Sequence, residues 1–153
     1  MQIETIVDDL LNRFNHLVAK KTWGETSLFF NPKGASAHGS YFVTIKESDG
    51  ENDQASNLDR DGIFRVSFGV SRNSYEALFG SKPPRPAKGE VIKTGHDFTQ
   101  TDLLMPHPIY AWMHWVQVLN PSQETWNSNQ SLIQESYELS KARFEKRKRR
   151  VAL

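Results

Sequence analysis

The residues best suited to chemistry in this chain are His96, Asp97 and His107. Imidazole titrates near neutrality and a neighbouring carboxylate can fix its tautomer, so a His–Asp neighbourhood suits general acid–base work. His107 stands between Pro106 and Pro108. Two prolines restrict the backbone there, and a stiff support suits a side chain that must be held in place. The same residues have a plainer use. Gly95-His96-Asp97 can form a turn whose side chains cap the chain that follows, and the prolines can simply steer the backbone.

A second group comprises Asn57, Asp59 and Arg60. Asx side chains accept local backbone hydrogen bonds, and Arg60 can pair with Asp59, Asp61 or an anionic ligand. Arg65 lies within a strand-like run, opposite a Phe/Val row. If the segment 81–111 covers that face, Arg65 is buried and needs a carboxylate, for which Asp59 or Asp97 would serve. Beside a His and an Asp it would make an anion pocket; alone, a structural salt bridge. Tyr110 and Trp115, with Trp112, can wall a ligand site, although aromatics usually fill cores, and Trp23 and Trp126 are expected at the core or its edge.

Other chemistries find little support. The chain has no cysteine, which removes disulfides, thiolate nucleophiles, Cys-ligated zinc and iron–sulfur clusters. His16, His38, His96, His107 and His114 show neither i, i+4 nor His-X-His spacing, so no metal site is expected unless 81–111 folds back on itself to gather His96, Asp97 and His107. There is no Gly-X-Ser-X-Gly elbow, no Walker-type phosphate loop and no dinucleotide fingerprint, so no cofactor is expected. Residues 34–39 are small and flexible and read as a hairpin loop.

The elements that must position these residues follow from periodicity. Ile3, Ile6, Val7, Leu10, Leu11, Phe14, Leu17 and Val18 recur at helical spacing, predicting an amphipathic helix through Lys20. Strands are predicted at 27–30, 41–45, 63–70 and 115–119. In 63–70, Phe64, Val66, Phe68 and Val70 point one way and Arg65, Ser67 and Gly69 the other. Residues 47–61 form a loop. Residues 71–80 form a short helix capped by Ser71 and ended by Gly80. Residues 81–111 begin Ser-Lys-Pro-Pro-Arg-Pro and form a long irregular excursion, with a helical turn expected at 99–104. Such segments are uncommon and tend to be functional or disordered. This one carries Ile92, Phe98, Leu104 and Met105, too apolar to be left in water, so it must pack back onto the body. Asn120 as cap and Pro121 in the first position start a helix that runs to the end, broken near 127–129.

At 153 residues this is one domain's worth of chain, and seventeen aromatic rings (nine Phe, four Tyr, four Trp) exclude a disordered composition. No apolar run approaches a membrane span and the N-terminus lacks a signal pattern, so a cytoplasmic protein with no membrane partner is expected. Residues 141–150 hold seven of the 19 Lys/Arg and one of the 18 Asp/Glu, so that stretch carries +6 and the remainder −5. A basic helix end can neutralise phosphates of nucleic acid, but it also suits the helix dipole, and a terminal run can be only a solubilising tail.

Several motifs occur together in a specific order: Ser56-Asn57-Leu58-Asp59-Arg60, Phe64-Arg65, Gly69-Val70, Leu78-Phe79-Gly80, Thr94-Gly95-His96-Asp97, Leu104-Met105-Pro106-His107-Pro108, Trp115-Val116 and Leu119-Asn120-Pro121-Ser122. This pattern resembles a bacterial family catalogued only as a domain of unknown function, over roughly residues 2–146. More distantly, His114-Trp115 and Ser136-Tyr137-Glu138-Leu139 resemble the MmcQ/YjbR-like family. That resemblance implies a double-wing α+β fold related in shape to the frataxin-like fold, in a family often labelled DNA-binding. The chain departs from it by inserting 81–111.

The reading is a single α+β domain over 1–153: a two-layer sandwich with an antiparallel sheet of about five strands and both terminal helices on one face. Segment 81–111 should lie over the sheet and form a cleft for a small ligand. His96 or His107 would be the acid–base or polar contact, Asp97 its orienting carboxylate, and Arg65 or Arg60 the anion anchor. A nucleic-acid module using 141–153 and an acid–base or metal-assisted enzyme are the alternatives. The chain could act as a monomer or a homodimer.

Overall fold

Apolar–polar alternation along 64–70 organises the molecule. The computed structural model, which describes residues 1–34 and 39–152, carries that alternation across a six-stranded antiparallel sheet. In chain order the elements are α1 (Ile3–Arg13), β1 (Leu17–Thr22), β2 (Glu25–Phe30), β3 (Ser40–Lys46), β4 (Arg65–Gly69), α2 (Arg72–Phe79), β5 (Met105–Pro106), β6 (Trp115–Leu119), α3 (Gln123–Ser128) and α4 (Gln130–Ala152). In space the strands run β1-β2-β3-β4-β6-β5.

Register places the apolar residues in rows. Val43 lies opposite Phe68 and Ile45 opposite Val66, which in turn face Val116 and Val118. Onto this face α1 lays Ile6 and Leu10, and α4 lays Ile133, Tyr137 and Phe144, in one buried cluster. The terminal helices are also tied to each other. Phe14 stacks on Tyr137 at 4.6 Å. The Tyr137 hydroxyl donates to the Asn15 carbonyl, and Trp126 Nε1 donates to Asp9. The two-layer α+β arrangement is therefore as expected, with six strands where about five were anticipated.

The first helix is shorter than its periodicity suggests. It stops at Arg13, and 17–22 form β1, paired residue for residue with β2. Apolar residues at 14, 17 and 18 fit either structure, and the choice is made by non-local pairing: Phe14 turns into the aromatic cluster, His16 takes φ 65°, and Leu17 and Val18 meet Phe30 and Phe29.

Smaller corrections have similar causes. Ser71 does cap α2, accepting from Ser74 N. The cap of α3 is Ser122, not Asn120. Asn120 instead bridges strand ends: its Oδ1 accepts from Phe64 N, and its Nδ2 donates to the Gly62 carbonyl. The break between α3 and α4 falls at Asn129, as anticipated. Residues 99–104 form no helical turn. Thr101 bridges to Leu119, and Asp102, at φ 59°, donates its N–H to the Leu119 carbonyl. Trp23 is not core: it stands at the β1–β2 turn, 98% exposed. The expected hairpin loop at 34–39 and His38 fall largely outside the described residues, which omit 35–38.

Candidate functional site

The second face of the sheet is polar. Glu25 pairs with Lys46, Ser27 with Thr44, Lys46 with Arg65 and Ser67 with Gln117, so alternation brings these side chains to one side. Thr44 and Ser67 share a 2.7 Å hydroxyl hydrogen bond across β3 and β4.

Arg65 is the centre of this face, and only 1% exposed. Its Nη1 donates to Asp53 Oδ2 at 2.6 Å and its Nη2 to Asp53 Oδ1 at 2.9 Å, a bidentate pair. Nη2 also donates to Ser56 Oγ, and Nε donates to Gln117 Oε1 at 2.7 Å. Four of the five guanidinium N–H groups are thereby engaged, leaving one on Nη1. Lys46 Nζ donates to the same Asp53 at 2.9 Å. Burial alone would raise the Asp53 pKa, but the hydrogen bonds and charges of Arg65 and then Lys46 override it and hold the carboxyl well below its ordinary value.

The partner of Arg65 is thus Asp53, not Asp59 or Asp97. The loop residue is brought over the sheet by the tight Gly50–Asp53 bridge. Gln117 extends the network by donating to the Phe98 carbonyl, which fastens 81–111. That segment packs onto the body as anticipated, with Ile92, Phe98 and Met105 buried and β5 paired to β6.

His107 ends the covering segment against this floor, 4% exposed. Its Nδ1 accepts the backbone N–H groups of Ile109 (3.1 Å) and Tyr110 (3.2 Å). Burial first, then the charge of Arg65 against the opposing Asp53, holds the ring pKa well below its ordinary value, so it is neutral. With Nδ1 an acceptor, the single proton sits on Nε2. Nε2 has no hydrogen-bond partner among the described residues, yet it is not sealed from solvent as His114 Nε2 is.

His107 lines a cleft of about 580 Å³. Lys46, Asp53, Arg65 and the Thr44–Ser67 pair contribute to its lining, together with Tyr41, Tyr110, Met113 and Trp115. Tyr110 is 47% exposed, its ring 5.0 Å from that of His107. Trp115 lies across Gly69, where a Cβ would come within 3.0 Å of the indole Nε1, so glycine is required for that approach.

The other expected site residues lie elsewhere. His96 Nδ1 bonds to Thr94 Oγ1, its ring edge-on to Phe79. Asp97 accepts from the Thr99 N–H and hydroxyl, which lowers its pKa. Neither lines the cleft that holds His107. Arg60 donates to the carbonyls of Asn57, Ser56 and Thr99, and Asn57 adopts φ 50°. Asp59 accepts from Asp49 N. Asp59 and Arg60 border a separate hollow of about 610 Å³ near the N-terminus. Among the described residues no three His, Cys, Asp or Glu side chains group as metal ligands. On α4, Arg143 and Arg147 donate to the Tyr41 and Gly39 carbonyls, while Lys141, Lys146 and 148–150 are exposed.

Asp53, Ser56, Lys46 and Gln117 were not singled out by sequence. Gln117 did leave a signal: a polar residue between Val116 and Val118 must face away from the core. Asp53 left none, being one of several acids in an acidic loop.

Fold and site together define a two-layer α+β domain with an ionic network and a histidine-lined cleft on its polar sheet face. The chain belongs to the family of unknown function DUF6194, whose model matches residues 1–149. Neither the curated proteins nor the solved structures contain a match to it. No helix among the described residues is long and apolar enough to cross a membrane.

Proposed function

We propose that this domain binds a small molecule in the cleft between β3, β4 and residues 107–115. The supporting observation is His107 Nε2–H: a neutral donor with no partner among the described residues, fixed in tautomer by two backbone N–H groups on the opposite nitrogen. Clefts of a few hundred Å³ with aromatic walls and a few placed polar groups suit small ligands. In this tautomer His107 offers a proton-bearing edge rather than a lone pair, which favours binding over general-base catalysis. We also keep the distant kinship with the MmcQ/YjbR-like family as a proposal, supported by His114-Trp115 at the head of β6 and Ser136-Tyr137-Glu138-Leu139 within α4.

His107→Asn tests the reading, because Asn can keep an acceptor for the Ile109 and Tyr110 amides while removing the cleft-facing donor. A fragment library would be screened by ligand-observed NMR against wild type and variant. Fragments that contact the cleft should bind the variant about tenfold more weakly, the loss of one hydrogen bond. Cleft binders indifferent to His107→Asn, or no cleft binders at all, would overturn it.

A further inference from the structure

Resting on that reading, we infer that the ligand is an aromatic monocarboxylate, its carboxylate on the floor by His107 and Lys46 and its ring between Tyr110 and Trp115. The floor supplies donors. His107 offers Nε2–H, Lys46 has used one of its three ammonium hydrogens on Asp53, and Arg65 keeps one N–H. Within the ion pairs Lys46 and Arg65 share a single carboxylate, Asp53, so that network carries one surplus positive charge, while Glu25, opposite Lys46 on the sheet, and Glu51 also line the cleft. The imbalance is felt at His107, where Arg65 and Lys46 together outweigh Asp53 in disfavouring the protonated ring, after burial itself.

The walls then limit what the anion can be attached to. Tyr110 and Met113 are about half exposed, and the Trp115 indole is packed closely against Gly69. Planar faces of this kind favour a flat apolar body over an aliphatic acid. Glu25 and Glu51 line the same cleft, which disfavours negative charge beyond the one group that the floor donors hold. A polyanion would have its second charge near those carboxylates, whereas a single carboxylate directed inward would not. Small size, one negative charge and a ring are thus each set by a different part of the cleft.

Amide-detected NMR titrations of the whole chain separate these features. The probes are 4-hydroxybenzoate, 4-hydroxybenzamide, acetate and phenyl phosphate, read at the Trp115 indole N–H and the Ile109 and Tyr110 amides. 4-Hydroxybenzoate should shift these signals and bind about tenfold more tightly than the amide. Lys46→Met, which retains the apolar stem and leaves the Asp53–Arg65 pair in place, should abolish that preference, weakening the acid more than the amide. Equal affinity for acid and amide would overturn the inference, as would acetate alone binding equally well, or tighter binding of the phosphate dianion. If the acid is silent but neutral fragments shift the same signals, the inference fails and the cleft stands. If nothing shifts them, both fail.

Discussion

The two faces of this sheet are built from the same strands by opposite means. On one, Val43, Ile45, Val66, Phe68, Val116 and Val118 meet the terminal helices, and burial is non-directional: each large side chain contributes about 1.5–3 kcal/mol whatever its neighbours' orientation. On the other, Lys46, Arg65 and Gln117 are covered by Asp53, Ser56 and the Phe98 carbonyl, and every contact depends on distance and angle. Burying the Arg65 charge consumes most of what its pairing returns, so apolar residues of similar volume would hold that face about as well. A face that gains little stability from its polarity, and encloses a cleft, fits a demand other than folding.

The sharpest way to break the comparison is to remove one ion. Asp53→Ala strands a buried guanidinium and should cost about 3–5 kcal/mol in urea denaturation. The double replacement Asp53→Leu with Arg65→Met should recover most of that loss, because it removes the charge along with its partner. A single variant within about 1 kcal/mol of wild type would mean that Asp53 does not fasten the loop.

Acid should separate the faces next. His107 is held neutral in the fold, below its ordinary value of 6.5, by burial and then by Arg65. Below that pH the unfolded chain takes up a proton that the folded one refuses. Stability is therefore complete above about pH 6.5 and falls beneath it by up to about 1.4 kcal/mol per pH unit. His114, also lowered by burial, adds a contribution of the same sign. His107→Asn should flatten the slope, leaving the share of His114. Asp53, lowered from 3.8, acts in a second window: its contribution is present above 3.8 and is lost as pH falls further. A stability curve with no decline between pH 6.5 and 5 would refute the neutral, buried His107.

On the apolar face the corresponding change is Ile45→Val, next to Lys46 in sequence and fully buried. Deleting one methylene should cost about 0.5–1.5 kcal/mol. Unlike the Asp53 effect, the cost should be the same at low and high salt, since no charge is involved. A salt-dependent loss would show that the faces are coupled through the strand.

What sequence could reach divides along the same line. The apolar face was legible, because period-two and helical spacing identify Phe64, Val66, Phe68, Ile6 and Leu10 without knowledge of partners. Arg65 was legible as a buried charge in search of a carboxylate, for it stands between Phe64 and Val66. Which carboxylate was not: Asp53, Asp59 and Asp97 are chemically alike, and the loop that delivers Asp53 is set by backbone pairing at Gly50. β1 was hidden because its apolar residues continue a helical pattern, and only β2 selects the strand. His107 was chosen for its flanking prolines, but the tautomer that limits its chemistry depends on two amides downstream.

Trp23 tests where the polar rules stop. It is a large aromatic at the β1–β2 turn, 98% exposed, with no ring contact among the described residues. A side chain that buries nothing loses nothing on truncation, so Trp23→Ser should alter stability by less than about 0.5 kcal/mol. Trp126, by contrast, is buried and donates to Asp9. Trp23→Ser should therefore delete the most solvent-exposed, red-shifted component of the tryptophan emission and leave the unfolding midpoint in place. A measurable loss of stability would mean that the turn leans on its tryptophan, and that the edge of the sheet is closed by a contact of a third kind, belonging to neither face.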